Sequence, residues 1–293
     1  CSSDLNYSFP LGTHGLRANV GYAHTYYELG HEFAVLGATG TAKVASLGLS
    51  YPLLRSQRSN LTLSATWQHK ELNDQQQQAN TQDHKSSDVL PLSINFDHRD
   101  RFGGGAITYG SVGFSSGRIQ LSPRLETEDR TSGQNTRGSF LKWNLELARI
   151  QATPVSGLTL FGRFSGQWAN KNLDSSEGFG LGGASGVRAY PQGEASGDEG
   201  WLAQIEVRYQ MGAFAPYAFY DAGRVRLNAE PAGLTVPANP NQRAIAGAGL
   251  GVRYWQGGWN FDAAVAWRTE GGAAQSDARQ RDPRLWITAG YRF

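Results

Sequence analysis

The sequence predicts an all-β protein, an antiparallel transmembrane β-barrel. Apolar and polar residues alternate along run after run, as in 201–210, where Trp, Ala, Ile, Val and Tyr share one face and Gln, Glu and Arg occupy the other. Alternation with a period of two is typical of a strand with one apolar and one polar face. The links between the runs are alternately short and long, as at the two rims of a membrane barrel.

The composition is compatible with this fold. The 293 residues include 37 Gly, 8 Trp, 12 Tyr and 13 Phe, and the mean hydropathy is negative. No window approaches the roughly 18 continuous apolar residues of a membrane helix. The net charge of +2 has no basic cluster behind it, so a nucleic-acid partner is not expected.

The N-terminus leaves two interpretations open. Cys1 is the single cysteine, so it cannot form an internal disulfide. It is either a lipid anchor or simply the start of a truncated chain. No charged segment followed by an apolar core precedes the first strand pattern, so no signal peptide is predicted.

About thirteen strands are predicted, with lengths near the roughly 9 to 11 residues of a transmembrane strand. Pro91 removes one donor from its ladder, so a bulge or a locally opened pair is expected there. In chain order, the alternating segments are 5–9, 16–22, 45–53, 61–67, 90–96, 109–114, 141–147, 158–168, 201–209, 217–223, 248–254, 259–267 and 285–293.

The predicted connections sort into two classes. Six are short: 10–14, 55–59, 100–104, 151–156, 210–213 and 256–258. Six are long: 28–40, 72–87, 118–136, 170–199, 227–241 and 271–283. The polar segments 71–87 and 122–137 are expected to be solvated loops. A soluble β-sandwich has no reason to sort its loops in this way.

The connection 170–199 is unusual because its central part is rich in glycine. Seven of the twenty-one residues of 178–198 are Gly, with Arg188 and Tyr190 in the middle. Glycine opens backbone conformations that are closed to other residues. The segment is therefore expected to pack inside the barrel.

Two short motifs carry a family resemblance. The tetrad Val187-Arg188-Ala189-Tyr190 resembles the Val-Arg-Gly-Tyr motif in the inward-folded loop of two-partner secretion transporters, with Ala189 where Gly is usual. Further along, Phe219-Tyr220-Asp221-Ala222-Gly223 resembles the Phe-x-Asp-x-Gly motif of the same superfamily. The resemblance implies that Asp221 pairs with Arg188 inside the barrel, with Phe219 and Gly223 beside it.

The resemblance implies a place and a function. Such transporters are pores of the Gram-negative outer membrane that move an unfolded exoprotein with an N-terminal secretion domain from the periplasm to the cell surface. Outer-membrane lipid and the barrel-assembly machinery are the other expected partners, and no cofactor is expected. The C-terminal strand ends on Tyr291 and Phe293, which resemble the signal that this machinery recognises.

The resemblance also implies that the chain is part of a larger protein. The family pattern is a barrel of sixteen strands, an even number as in other bacterial outer-membrane barrels, preceded by POTRA domains and a plug helix. Residues 1–293 are expected to form a single partial barrel domain. With thirteen strands, the first and last run in the same direction, so this chain alone is not expected to close.

Strand alternation assigns the remaining side chains to two faces. The residues expected to face lipid are Leu61, Leu63, Trp67, Ile205, Val207, Phe261 and Val265. Those expected to line the lumen with mixed charge are Lys142, Glu146, Arg163, Glu206, Arg208, Arg253 and Asp262. A mixed-charge lining keeps a wet pore hydrated without trapping substrates of one sign.

Two other functions are weighed against secretion. A passive porin or substrate-specific channel explains the barrel but leaves both motifs without a purpose. An outer-membrane hydrolase needs a nucleophile with His converging on one rim. His24, His31, His69, His84 and His98 lie near predicted loops but in no nucleophile motif, so no catalytic residue is expected.

Overall fold

The protein folds as one antiparallel sheet of thirteen strands over the residues that the computed structural model describes, 2–28, 38–76, 81–277 and 279–292. The strands are β1 (Ser2–Pro10), β2 (Arg17–Glu28), β3 (Ala38–Arg55), β4 (Ser59–Gln76), β5 (Thr81–Asp100), β6 (Ala106–Leu121), β7 (Gly138–Ala152), β8 (Leu158–Ala169), β11 (Glu199–Tyr209), β12 (Phe214–Arg226), β13 (Gln242–Gln256), β14 (Trp259–Glu270) and β15 (Arg284–Tyr291). Two-residue strands β9 (Phe179–Gly180) and β10 (Ser196–Gly197) pair with each other in the connection between β8 and β11. The predicted fold class and strand number are confirmed.

Each long strand pairs with its neighbour in chain order, and β8 pairs with β11 across the Gly-rich connection. In the described residues β1 and β15 lie at the two edges of the sheet. Because the order is strictly antiparallel over thirteen strands, these edge strands run in the same direction. No helix in the described part of the chain is both long and apolar enough to cross a membrane.

The prediction of a loop over 72–87 is wrong for the described residues of that range, which exclude 77–80. Strand β4 continues to Gln76 and β5 resumes at Thr81, with paired residues throughout. The 20 residues of β5 extend roughly 66 Å at about 3.3 Å each, so even a tilted strand projects beyond a hydrocarbon core of roughly 30 Å. Polar side chains suit the watery end of this hairpin, and the ladder still satisfies its backbone groups.

The predicted loop 122–137 contains a helix, α1 (Pro123–Ser132). Pro123 occupies the first turn, where its missing N–H costs nothing, and Gly133 ends the helix with a left-handed φ of 77°. Glu126 in the first turn and Arg130 in the last suit the helix dipole. These residues stabilise the two ends of the helix, so the segment can be helical although its apolar periodicity is weak.

The remaining connections follow the prediction of one tight and one elaborate rim. The predicted loop 28–40 lies largely outside the described residues. The ladder between β4 and β5 is interrupted between the pairs Ala65–Leu92 and Gln68–Val89, so the expected opening at Pro91 is confirmed.

One face of the sheet is apolar and exposed. Five of the residues predicted to face lipid are exposed there: Leu63, Trp67, Ile205, Val207 and Phe261. Leu61 and Val265 lie on the same face, because each is an even number of residues from an exposed member of its own strand. An exposed tryptophan stands on this face eight to ten residues from the short-turn end of several strands: Trp67, Trp143, Trp168, Trp201 and Trp267. Such a belt marks the boundary between hydrocarbon and headgroups on the long-loop side.

The buried core lies on the opposite, inner face, where the Gly-rich connection packs. One cluster includes Leu181, Val187 and Tyr190 of that connection against Val225 and Ile245 of the wall. A second holds Val89, Ile119, Phe140 and Leu173. The connection therefore supplies the sheet with the core that a hollow barrel lacks.

The two-faced sheet generates a direct test. Nitroxide spin labels placed one at a time along 201–210 of the full-length protein in bilayers are expected to alternate between access to lipid-soluble oxygen and access to a water-soluble relaxant. Odd positions should favour the lipid. Uniform water access along the strand would contradict the membrane assignment.

Candidate functional site

The candidate site is the contact between the Gly-rich connection 170–198 and the inner face of β11–β15. Val187 donates its N–H to the Leu181 carbonyl at 2.7 Å, and Tyr190 donates to the Val187 carbonyl at 3.0 Å. These bonds fold the tetrad into a compact turn. Val187 and Tyr190 are fully buried, so the turn is seated on the wall.

Two glycines of β13 make this seat possible. A Cβ at Gly247 would lie 2.3 Å from the Cβ of Ala189, and one at Gly249 would lie 2.4 Å from the ring of Phe219. Both spacings are closer than real side-chain atoms approach. Ala189 itself avoids the left-handed region, so alanine fits where the motif that it resembles has glycine.

Arg188 makes a forked ion pair with Asp221. Its Nε lies 2.8 Å from Asp221 Oδ2 and its Nη2 lies 2.7 Å from Oδ1. The backbone N–H of Arg188 also donates to Asp221 Oδ2 at 3.1 Å. The Asp221 side chain is 0% exposed and that of Arg188 is 6% exposed, so the fork fixes position and direction in a dry environment.

The same guanidinium has two further contacts. Its Nη1 donates to Glu206 Oε1 at 2.7 Å, and its carbon atom lies 3.5 Å from the centre of the Phe219 ring. The carbonyl of Arg188 accepts a 2.7 Å bond from the indole of Trp286. Strands β11, β12 and β15 thus all hold one loop residue.

Glu206 connects this pair to the rest of the lumen. It accepts from Arg208 Nε at 2.7 Å and from Arg253 Nη1 at 3.1 Å, in addition to Arg188. Arg253 in turn donates to Asp262 at 2.8 Å. Three guanidinium groups and three carboxylates alternate in this network, which compensates the buried charges.

The structure places all of the residues predicted for the lumen on the inner face. Glu146 and Arg163 pair with each other at 3.1 Å. Lys142 contacts Glu177 of the connection at 2.8 Å. Gly223 lies beside Leu181, Tyr291 packs on Trp259 on the outer face, and Phe293 lies outside the described residues.

A second contact holds the first arm of the connection against the opposite wall. Lys70 and Lys142 lie 2.6 and 2.8 Å from the two carboxylate oxygens of Glu177. Lys85 lies 3.0 Å from Asp174. These lysines belong to β4, β5 and β7, so the connection bridges two sides of a strongly curved sheet.

A third contact joins the other arm to the connection 271–283. Glu194, which is 1% exposed, accepts from the N–H groups of Gln275 and Ser276 and pairs with Arg243. The hydroxyl of Tyr190 lies 2.7 and 2.8 Å from the carbonyls of Glu270 and Gly272. Tyr190 is thus a packed side chain with a bonded tip.

The surroundings of Glu177 and Glu194 keep these two carboxylates of the connection ionised. Burial alone would raise the pKa of Glu177, but the ammonium groups of Lys142 and Lys70 lower it below its usual value. Burial also opposes ionisation of Glu194, yet the donors of Ser276 and Gln275 and the charge of Arg243 lower its pKa.

Sequence reasoning missed several of these partners. Gln204, which donates to the Gly186 carbonyl at 2.9 Å, could have been found from its inward position on β11. Asp174, Glu177, Glu194, Lys70 and Lys85 had no such signal, because their partners depend on the path of the loop.

The contact of Glu177 predicts an acid-sensitive loop arm. A carboxylate with a lowered pKa leaves the folded state with fewer bound protons than the unfolded one, so its stabilisation is complete above the usual glutamate pKa and is lost as the pH falls through the lowered value. Distances between spin labels at Ser176→Cys and Ser139→Cys, in the full-length Cys1→Ser protein, should be narrow at neutral pH and broad in acid.

Lys142→Met should broaden the distances already at neutral pH, at a cost of about 1.5–3 kcal/mol for one lost charged bond. Arg163→Met is the matched control, because Arg163 pairs with the wall residue Glu146 and not with the loop. Equal broadening in both variants would show that the arm is not held by Glu177.

Comparison with known proteins assigns the family. The profile of the haemolysin secretion/activation protein family ShlB/FhaC/HecB matches residues 2–254. The haem/haemopexin transporter protein HuxB of Haemophilus influenzae is 27% identical over 224 residues, 75% of this chain and 39% of HuxB. The outer membrane transporter CdiB of Dickeya dadantii is 28% identical over 125 residues, 43% of this chain and 22% of that protein.

The solved structures show the same fold. CdiB from Escherichia coli superposes with a TM-score of 0.73 at 16% identity, over 98% of this chain and 51% of CdiB. CdiB from Acinetobacter baumannii gives 0.71 at 18% identity, over 98% and 49%. The chain spans about 39% of the length of HuxB. Because the family profile covers most of the chain, the protein belongs to the haemolysin secretion/activation family of outer-membrane β-barrel proteins.

Proposed function

We propose that the protein is the outer-membrane pore of a two-partner secretion system. It translocates an unfolded exoprotein with an N-terminal secretion domain from the periplasm to the cell surface. The single observation that carries this proposal is the buried fork between Arg188 and Asp221, which seats the Gly-rich connection inside the lumen. A passive channel would explain the barrel, but it leaves the two motifs that form this fork without a purpose.

The lumen wall suits an unfolded polypeptide as cargo. Near the fork, Arg208, Arg253 and Asp262 keep partial exposure while Glu206 joins them in one network. An extended chain exposes backbone donors and acceptors and side chains of both signs, and a wall of alternating charge offers each a weak partner. The proposed transport involves no chemical step and needs neither a catalytic residue nor a cofactor.

We further propose that residues 1–293 are one partial barrel domain of a longer transporter. The open order of the described strands, with parallel edge strands β1 and β15, supports this. In the full-length protein, further strands would complete the barrel, and POTRA domains and a plug helix would precede it. Outer-membrane lipid surrounds the apolar face, and the barrel-assembly machinery reads the end that carries Tyr291 and Phe293.

The fork is tested by secretion in the full-length protein. Arg188→Ala and Asp221→Ala each strand a buried charge at a cost of about 3 kcal/mol. Both should lower the amount of exoprotein in the medium while the barrel remains assembled, as judged by heat-modifiable migration in outer-membrane fractions. Normal secretion by both variants would show that the anchor has no role in transport.

Two variants separate charge from geometry. Arg188→Lys keeps the charge without the planar fork, so it should restore secretion only in part. Exchanging the charges of Arg188 and Asp221 is expected to recover less, since Glu206 lies 2.7 Å from the Arg188 guanidinium and would then face a like charge. Adding Glu206→Gln to the exchange should improve recovery.

The partial-barrel proposal predicts the behaviour of the isolated chain. Closing β1 onto β15 would require a parallel seam, and unpaired edge groups are not tolerated in hydrocarbon. The purified 293-residue chain should therefore give no uniform conductance in planar bilayers, whereas the full-length protein should. Stable, uniform channels from the isolated chain would contradict the proposal.

A further inference from the structure

A groove of about 540 Å³ lies near the long-loop end of β8, β11 and β12. Two tryptophans of the belt, Trp168 and Trp201, and two arginines, Arg224 and Arg226, line it. Residues of the connection 227–241 close it on the side away from the membrane centre. It is separate from the lumen, because Trp201 and Arg224 alternate with the inward residues Leu202 and Val225.

The groove has an ordered aromatic wall. The ring of Trp168 reaches to Gly166, where a Cβ would lie 2.9 Å away. Trp201 stacks with Phe164 at 6.5 Å between ring centres and 11° between planes. Since these tryptophans belong to the interfacial belt, the groove lies at the level of the lipid headgroups on the long-loop side.

The two arginines of the groove differ in whether they have a carboxylate partner. Glu199 accepts from Arg226 Nη1 at 3.2 Å and from the Ala169 N–H at 3.3 Å. Arg226 keeps 49% of its side chain exposed in this pair. Arg224, directly opposite Trp201 in the ladder, is exposed, and no carboxylate of the described residues pairs with it.

An unpaired guanidinium on the lipid side of a membrane strand needs an anionic partner. Placing it in hydrocarbon is costly, but the headgroup layer offers acceptors. Arg presents a planar fork that matches the oxygens of a phosphate. Basic pockets beside membrane segments bind anionic headgroups in this way.

We propose that this groove binds the phosphorylated headgroup of an outer-leaflet glycolipid. Arg224 donates its fork to the phosphate, Arg226 adds positive charge, and Trp168 and Trp201 pack against the sugar rings. The aromatic walls favour a glycolipid over a free phosphate, because a small anion would leave both indole rings without a contact. This assignment does not depend on the proposed secretion function.

The test is a titration of the full-length protein, purified in non-ionic detergent, with bisphosphorylated lipid A, followed by native mass spectrometry. Arg224→Gln should weaken binding about tenfold or more, as expected for a lost charged hydrogen bond. Arg118→Gln is the matched control, because Arg118 is likewise exposed on β6 near the same rim but lies outside the groove. Heat-modifiable migration verifies that each variant is folded.

Each of the following results would overturn the proposal. The first is wild-type affinity in Arg224→Gln, and the second is an equal loss in Arg118→Gln. The third is equal binding of the same glycolipid after its phosphates are removed. A parallel titration with inorganic phosphate separates the sources: phosphate binding as tight as that of lipid A would refute the glycolipid, while tight binding of lipid A alone supports it.

Trp201→Leu gives an independent measurement. It keeps the outer face apolar and leaves Arg224 in place, so inorganic phosphate should be unaffected. Binding of lipid A should still fall severalfold if the sugar rings pack against the indole. Unchanged binding of lipid A in this variant would refute the glycolipid, because the indole contact is what favours it over a free phosphate.

Discussion

The position of the Gly-rich connection depends on one buried guanidinium. Arg188 is surrounded by two carboxylates, an aromatic face and a wall of sheet, and its backbone is bonded on both sides. A charge so far from water is tolerated only where every donor finds a partner. Asp221 and Glu206 compensate the charge of Arg188. Glu206 also pairs with Arg208 and Arg253.

The sheet is adapted to this charge by small residues rather than large ones. Where β13 passes beneath the turn, glycine leaves room for Ala189 and for the Phe219 ring. Valine or leucine at these two positions would favour the strand, but their side chains would collide with Ala189 and with the Phe219 ring. At Gly247 and Gly249 the strand is intrinsically weaker, but the loop can contact the wall closely.

Much of the fold could be predicted from the sequence because strand alternation is a local property. The strand number, the two faces and the likeness of the tetrad around Arg188 to a known loop all follow from short stretches of residues. The loop 72–87 was predicted wrongly because polar composition reports contact with water and not the pairing of the backbone. Helix α1 was missed because its signals, Pro123 and Gly133, lie at its ends and its apolar period is weak. The partners of Glu177 and Glu194 could not be predicted, because they depend on the path that the connection takes through the barrel, and no local pattern in the sequence specifies that path.

The bonds of Tyr190 and Glu194 to residues 270–276 have a mechanical meaning. Those residues connect β14 to β15, and β15 is an edge of the sheet in the described residues. The position of the loop and the position of the edge strand are therefore coupled. Whatever stabilises the seated loop also stabilises the edge strand, and by the same amount the edge strand stabilises the loop. Displacement of the loop would therefore destabilise the edge strand β15 as well as the contacts on the inner face of the sheet.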